Sequence, residues 1–204
     1  MATIFNRWSN ADLLDLITAY PLAIMVSAGT GGFAATPLPM LPDVDEEGRL
    51  VRLVGHMSLA NEQVGILRAN PCAYFLFQGP QAYVSPRLVP DKTWAPTWNY
   101  ILVRVTAKVT FRPEQNDAAL RRLVAKMEAG HADAWSIEEM GERYARIAGH
   151  ITAFDADVTS VKATFKLSQD EKPAMFESML AGLDQPELLH WMRRFAAQRS
   201  DSGR

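Results

Sequence analysis

The chain of 204 residues is long enough for one substantial core, and 48% apolar and 22% charged residues are typical of an ordinary globular protein. Its formal net charge of −2 creates no whole-molecule field that would attract nucleic acid or an anionic membrane surface, so direct DNA binding is doubtful. No apolar run approaches the ~20 residues that span a bilayer. The N-terminal residues lack a signal-peptide pattern, so the expected location is the cytoplasm without membrane contact.

The single cysteine, Cys72, excludes an internal disulfide and a cysteine-based zinc cluster. It lies in an apolar run, and free cysteine behaves as a small apolar residue, so we expect it to be buried.

The first part of the chain predicts a helix and a hairpin. Residues 9–19 carry helix N-cap signals and apolar residues at helical spacing. Residues 22–28 form an apolar run typical of a buried strand, and a glycine-rich turn joins them to residues 33–41. Because Pro37 and Pro39 cannot donate to a strand ladder, the second arm is expected at a sheet edge.

The next segment predicts a strand at residues 50–57 and a helix at residues 58–69 with Ser58 as its N-cap. A helix start offers unpaired N–H groups and a positive dipole end, so a phosphate would be stabilised there. A strand follows at residues 72–77, and Gly79-Pro80 predicts a turn after it.

The second half combines strands with helices. Residues 103–111 alternate strictly between apolar and polar side chains, which indicates a half-buried antiparallel strand. A helical insertion is predicted at about 114–148, strands at 151–158 and 161–167, and C-terminal helices at about 173–200.

Six or seven strands with short connections and no βαβ repetition favour an α+β fold, mainly β with peripheral helices. We expect a closed or split antiparallel, Greek-key-like β-barrel in a single domain spanning residues 1–204.

The sequence lacks the motifs of several enzyme classes. It has no GxGxxG, P-loop, HExxH or GxSxG segment, and its four histidines are not at metal-ligand spacing. We therefore predict neither a metal site nor a catalytic residue set.

Four segments carry a family resemblance: GHMSLAN from Gly55, FQGPQAYVSP from Phe77, PTWNY from Pro96 and FKLSQ from Phe165. In order and spacing they resemble the signature segments of the PaiB family, FMN-binding negative transcriptional regulators with the FMN-binding split β-barrel fold. The resemblance covers roughly residues 21–173. It implies FMN as cofactor and a homodimer with the cofactor site at the subunit interface.

FMN needs donors for its phosphate, hydrogen-bond partners for the edge of its ring and an apolar or aromatic wall for the ring face. Taken with the resemblance, the sequence offers Ser58, Asn61 and Lys166 for the phosphate, Gln78, Asn99 and Gln169 for the ring edge, and Met57 and Trp98 for the wall. His56, Thr36 and Leu38 complete the predicted cofactor-binding set; His56 alone is more typical of a hydrogen-bonded structural histidine than of a base.

Three functions remain open from the sequence. The resemblance implies a negative transcriptional regulator acting through flavin or a partner. The alternative is an FMN-dependent flavin reductase or related oxidoreductase using NAD(P)H, in which FMN carries the electrons. A split barrel that has lost the cofactor is the third, because Gln81 and residues 87–89 depart from the family pattern.

Overall fold

The computed structural model describes residues 4–201, so both ends of the predicted domain, residues 1 and 204, lie outside the described residues. The strands are β1 Leu22–Gly29, β2 Gly32–Pro39, β3 Leu41–Val44, β4 Leu50–Ser58, β5 Cys72–Val84, β6 Thr97–Phe111 and β7 Ile151–Lys166. The α-helices are α1 Asn10–Ala19, α2 Gln63–Ala69, α3 Asn116–Glu128, α4 Arg143–Ala148, α5 Pro173–Gly182 and α6 Pro186–Asp201. Short 3₁₀ helices occupy Ile4–Asn6, Pro86–Leu88, Pro113–Gln115 and Ile137–Met140.

The strands form one sheet in the order β2-β1-β5-β6-β7-β4-β3. Strand β1 pairs antiparallel with both β2 and β5, and β4 pairs antiparallel with both β3 and β7. Strand β2 lies at one sheet edge, as its prolines predicted, and the unpredicted β3, which contains Pro42, lies at the other edge. An antiparallel sheet with added helices confirms the predicted fold class.

The described chain divides into two compact units. Unit A consists of Asn10–Phe77 and Arg104–Val161, and unit B consists of residues 4–9, Gln78–Val103 and residues 162–201. The long strands β5, β6 and β7 each contribute residues to both units.

The core of unit A contains two close contacts, one between aromatic rings and one at a glycine. The rings of Phe75 and Phe154 stack with centroids 6.4 Å apart, and both side chains are fully buried. Gly55 lies against Phe154 and the side chain of Met40, so closely that a Cβ atom at residue 55 would be 2.7 Å from the Met40 sulfur. Glycine is therefore the residue that the GHM segment needs at this point of β4 for packing.

Unit B packs α6 against the end of β7. The ring of Phe165 stacks on Phe195 with centroids 4.7 Å apart, and Trp191 lies against both rings. One face of α6 is therefore part of the core of unit B, because Leu188, Trp191 and Phe195 are all buried.

Several local predictions were wrong. The helix predicted from Ser58 begins at Gln63, because β4 runs through Ser58 and a loop follows it. Strand β5 continues through Gly79-Pro80 instead of turning there, and the two strands predicted between residues 151 and 167 are the single strand β7.

Cys72 is exposed, not buried as predicted. It is the first residue of β5 and lies on the same strand face as Tyr74, since side chains alternate along a strand. The apolar run around it misled the prediction because only every second residue of that run faces the core.

Cys72 belongs to an apolar sheet face of unit A that the described residues leave uncovered. Strand registers place Leu22, Ile24 and Val26 of β1 beside Phe33, Ala35 and Pro37 of β2 and beside Tyr74 and Leu76 of β5. Leu22 is 62% exposed, Ile24 45%, Phe33 84% and Tyr74 51%. We call these residues, with Cys72, the open face.

Candidate functional site

The predicted cofactor-binding residues fall into two groups, one in each unit. Thr36, Leu38, His56, Met57, Ser58 and Asn61 belong to unit A, and Gln78, Trp98, Asn99, Lys166 and Gln169 belong to unit B.

In unit A the polar residues converge on the loop between β4 and α2. Asn61 uses both ends of its amide there: its Nδ2 donates one N–H to Oγ1 of Thr36 at 2.9 Å and its Oδ1 accepts from the backbone N–H of Gln63 at 2.9 Å. Ser58 Oγ accepts from the N–H of Ala60 at 3.2 Å. The loop that follows the GHM segment is therefore shaped by its own side chains and tied to the edge strand β2.

Gln63, which is not in the predicted cofactor-binding set, is completely buried beside this loop. Its Nε2 donates to Oγ of Ser27 at 2.9 Å, to the carbonyl of Ala34 at 3.1 Å and to that of Met25 at 3.3 Å. Two carbonyl acceptors fix which end of the amide is nitrogen. Its Oε1 then has no hydrogen-bond partner within the described structure.

A signal for Gln63 existed in the sequence. Gln63 and Leu67 share one helix face at i, i+4 spacing, and Leu67 is buried. A glutamine at an apolar position of a helix is expected to be hydrogen-bonded in the interior, because an unpaired buried amide is costly.

His56 and Met57 lie on opposite faces of β4. Met57 is 1% exposed and Leu38 is 8% exposed, so both face the core of unit A. His56 is half-buried, and burial lowers the pKa of its imidazole from the ordinary 6.5. Burial therefore favours the neutral form of the imidazole.

In unit B a cavity of about 270 Å³ opens beside Trp98 and Gln78. Gln81, Tyr100, Ile101 and Leu102 complete its lining. Trp98 is 50% exposed, and its ring meets the ring of Tyr83 edge to face at 6.0 Å. The cavity thus offers a rigid aromatic wall together with the amides of two glutamines.

Asn99 and Gln169 are buried and already hydrogen-bonded. Asn99 exchanges hydrogen bonds with Ser168 Oγ at 2.9 and 3.0 Å, and its Nδ2 also reaches Sδ of Met192 at 3.6 Å. Gln169 Oε1 accepts from the N–H of Leu167 at 2.8 Å, and its Nε2 donates to the Phe165 carbonyl. These amides hold the turn of the FKLSQ segment together.

Lys166 lies in a second, larger cavity of unit B, of about 470 Å³. Its Nζ donates to Oγ1 of Thr97 at 2.5 Å. Trp94, Asp170 and Glu171 line the same cavity.

The residues present fit FMN in chemical type. A half-exposed tryptophan with glutamine amides beside it suits a flavin ring, and the loop of Ser58 and Asn61 supplies hydroxyl and amide groups. The buried Gln63 Oε1 is an acceptor that no described residue satisfies, of the kind that a ligand hydroxyl satisfies.

Two features are absent from the described residues. Among residues 4–201 no three histidine, cysteine, aspartate or glutamate side chains are grouped as metal ligands would be. No helix in that part of the chain is both long enough and apolar enough to cross a membrane.

The fold is similar to those of solved flavoproteins. The flavocytochrome Anf3 from Azotobacter vinelandii matches with a TM-score of 0.60 at 14% identity, covering 78% of this chain and 68% of that one. The FAD and heme binding protein from Mycobacterium smegmatis matches with a TM-score of 0.59 at 16% identity, covering 87% of this chain and 80% of that one. These matches confirm the predicted fold.

A relative and a family model match at the level of sequence. "Protease synthase and sporulation protein PAI 2" of Bacillus subtilis (strain 168) is 24% identical over 186 residues, covering 90% of this chain and 88% of that protein. The model of the family described as "Putative FMN-binding domain" matches residues 1–160. Because this match spans well over half of the chain, the protein belongs to that family, and its cofactor is FMN.

Proposed function

We propose that the protein is a homodimeric FMN-binding regulator that acts through its flavin or through a partner protein, not through DNA binding of its own. Two observations support this. The Bacillus subtilis relative is named for protease synthesis and sporulation. The net charge of −2 gives the chain no general attraction to DNA.

The cavity beside Trp98 is the main structural support for flavin binding in this proposal. A flavin ring is planar and apolar on its faces and has hydrogen-bond donors and acceptors on one edge. Trp98 gives the face a stacking partner, and the amides of Gln78 and Gln81 can both donate and accept at the edge. When bound, FMN supplies reversible one- and two-electron chemistry.

Unit A, considered by itself, offers a candidate phosphate-binding group in its loop between β4 and α2. The hydroxyls of Thr36 and Ser58 and the amide of Asn61 are the groups available there. They are neutral, so the affinity for the phosphate rests on hydrogen bonds instead of an ion pair.

Titration of the purified protein with FMN, followed by flavin fluorescence, tests both assignments. We expect one FMN per subunit and about tenfold weaker binding for Trp98→Ala, because the stacking surface is lost. Trp135→Ala is the matched control, since Trp135 is a partly exposed tryptophan of unit A, 38% exposed. Equal affinities for the wild type and Trp98→Ala would contradict the ring assignment.

Riboflavin, which lacks the phosphate of FMN, distinguishes contacts with the phosphate from contacts with the ring. We expect Asn61→Ala to weaken the binding of FMN about tenfold and to leave the binding of riboflavin unchanged, because a hydrogen bond to a charged group contributes about 1.5–3 kcal/mol. Asn70→Ala, at the exposed end of α2, is the control. A variant that loses both ligands equally would show that Asn61 does not contact the phosphate.

An FMN-dependent oxidoreductase is the alternative function. The described residues lining the cavity of Trp98 include no carboxylate, imidazole or amine, and hydride transfer at a flavin requires none from the protein. Steady NADH or NADPH consumption that depends on bound FMN would favour the enzyme. No consumption with several acceptors would favour the regulator.

The homodimer is supported by the open face of unit A. Its side chains are uncharged, and large apolar areas of this kind mark interaction sites. A second copy is a suitable occupant, because a two-fold axis brings the same face onto itself without opposing charges.

Light scattering after size exclusion tests the dimer. We expect twice the monomer mass for the wild type and the monomer mass for Ile24→Lys, which places a charge in the middle of the open face. Val51→Lys is the control, because Val51 is 41% exposed on β4, outside that face. A dimer that persists in Ile24→Lys would locate the interface elsewhere.

A further inference from the structure

The larger cavity of unit B, around Lys166, is lined by charges of both signs. Its volume of about 470 Å³ lies within the range of small-molecule sites, ~300–1,000 Å³. Lys166 supplies an ammonium group, and Asp170 and Glu171 supply carboxylates. None of these three forms an ion pair within 4.0 Å in the part of the chain that the structure describes.

Among the described residues, the hydrogen-bond partner of Lys166 is neutral. Its Nζ donates to the Thr97 hydroxyl, which leaves two of its three N–H groups available. Glu171 accepts from the indole N–H of Trp94 at 2.9 Å through one oxygen, which fixes the carboxylate beside an aromatic ring. Opposite charges held around one cavity without pairing with each other are each available to a ligand.

The turn that presents these carboxylates has a strained backbone and is held by hydrogen bonds. Ser168 has φ 61°, an unusual backbone conformation for a residue with a side chain. Its Oγ is locked to the buried Asn99, and its carbonyl accepts from the N–H of Glu171 at 3.2 Å. Such strain persists where surrounding contacts over-determine it, and it is concentrated at binding and active sites.

We propose that this cavity binds a small zwitterion, an amino-acid-like molecule with an apolar or aromatic body. Its anionic group meets Lys166, its ammonium group meets Asp170 and Glu171, and its body lies against Trp94 and Phe5. The two carboxylates make the cavity unfavourable for a phosphate dianion, so Lys166 serves this ligand and not the FMN phosphate.

Calorimetric titration with three probes tests the charge requirement. L-phenylalanine carries both charges, 3-phenylpropionate only the anion and phenethylamine only the cation. We expect L-phenylalanine to bind one per chain and about tenfold more tightly than either singly charged probe, because each charge-assisted hydrogen bond adds affinity. Equal binding of all three probes, or no heat with L-phenylalanine at tens of millimolar, overturns the proposal.

Two variants of nearly unchanged side-chain shape test the anionic and the cationic end of the ligand separately. Lys166→Met should reduce the affinity for L-phenylalanine to that for phenethylamine. Glu171→Gln, whose amide oxygen can still accept from Trp94, should reduce the affinity for L-phenylalanine toward that for 3-phenylpropionate. Lys162→Met and Glu177→Gln, exposed positions of β7 and α5 outside the cavity lining, are the controls.

FMN titration of the same variants distinguishes this inference from the flavin assignment. Glu171→Gln should bind FMN as the wild type does, and Lys166→Met should lose affinity for L-phenylalanine. If Lys166→Met instead loses FMN and keeps L-phenylalanine, Lys166 belongs to the flavin phosphate and the zwitterion site is wrong. The heats with L-phenylalanine are read on flavin-free protein, so failure of FMN binding does not affect this result.

Discussion

The amide of Asn61 donates to Oγ1 of Thr36 at 2.9 Å and so joins the loop after β4 to the edge strand β2. Both residues belong to the predicted cofactor set, yet this contact also makes them structural neighbours in unit A. Effects of either substitution on flavin binding must therefore be separated from effects on stability.

A double-mutant cycle measures that contact. Thr36→Val and Asn61→Ala should show a coupling of about 1 kcal/mol in the free energy of unfolding, because a part-buried hydrogen bond contributes about that much. Urea unfolding of the wild type, both single variants and the double variant provides the measurement. Strictly additive losses would mean that the hydrogen bond does not stabilise the fold.

Gly55→Ala should destabilise the protein by about 1–3 kcal/mol, because overpacking forces buried neighbours to move. The new Cβ would lie 2.7 Å from Met40 Sδ and 3.0 Å from Cζ of Phe154, and Met40 is completely buried. Thermal and urea unfolding give the loss.

Gly65→Ala is the matched control for Gly55→Ala. It lies in α2, where an added Cβ would have no atom within 4 Å apart from its chain neighbours and the backbone of its own helix. Alanine favours a helix interior by about 0.5–1 kcal/mol over glycine. We expect a small gain in the free energy of unfolding for Gly65→Ala and a large loss for Gly55→Ala. A neutral Gly55→Ala would show that Met40 relaxes freely.

His56 should make the protein less stable as the pH falls from 7 to 5. Burial lowers the pKa of folded His56, whereas the unfolded residue binds a proton near the ordinary 6.5. The unfolded state therefore holds more protons in this window, so stability decreases as the pH falls and levels off below the folded pKa.

The free energy of unfolding of His56→Gln, measured by urea at several pH values, should change less between pH 7 and 5 than that of the wild type. His131→Gln, an exposed position, controls for the loss of a histidine. Parallel pH profiles for the wild type and His56→Gln would contradict the direction of the pKa shift.

Gln63→Glu should destabilise the protein increasingly as the pH rises. The side chain at residue 63 faces the carbonyls of Ala34 and Met25, so an ionised carboxylate there would be buried against acceptors. The folded state would keep the proton that the unfolded chain releases near pH 4 to 5, which makes stability fall with rising pH.

Urea unfolding of Gln63→Glu between pH 5 and 8 gives the slope. Glu62→Gln, the exposed preceding residue, is the control for a one-unit change of charge. A flat profile for Gln63→Glu would show that water or a ligand donor reaches the position.

The fold was predictable where local patterns and burial agree. Alternation along residues 103–111 predicted the buried and exposed sides of β6, and the two prolines of β2 predicted an edge strand. Boundaries were less predictable: Gly79-Pro80 is a turn signal in isolation, but within β5 the ladder overrides it.

The site was predictable in its segments but less so in its contacts. The GHM segment located the loop of Asn61, but the importance of Gln63 depends on carbonyls of β1 and β2 that are distant in sequence. For Asn99 and Gln169, residue type did not reveal that their amides are already hydrogen-bonded within unit B. Whether a buried amide already has hydrogen-bond partners depends on the tertiary structure.

The prolines of β2 and β3 have a consequence for how copies of the protein can assemble. Both outer strands of the sheet carry residues that cannot extend a hydrogen-bonded ladder, so growth by adding strand to strand is obstructed on both sides. Association through a face closes after two copies, whereas association through an edge can continue into a fibre. The chain thus permits a finite pair while resisting open-ended polymerisation, although its sheet exposes a large apolar surface.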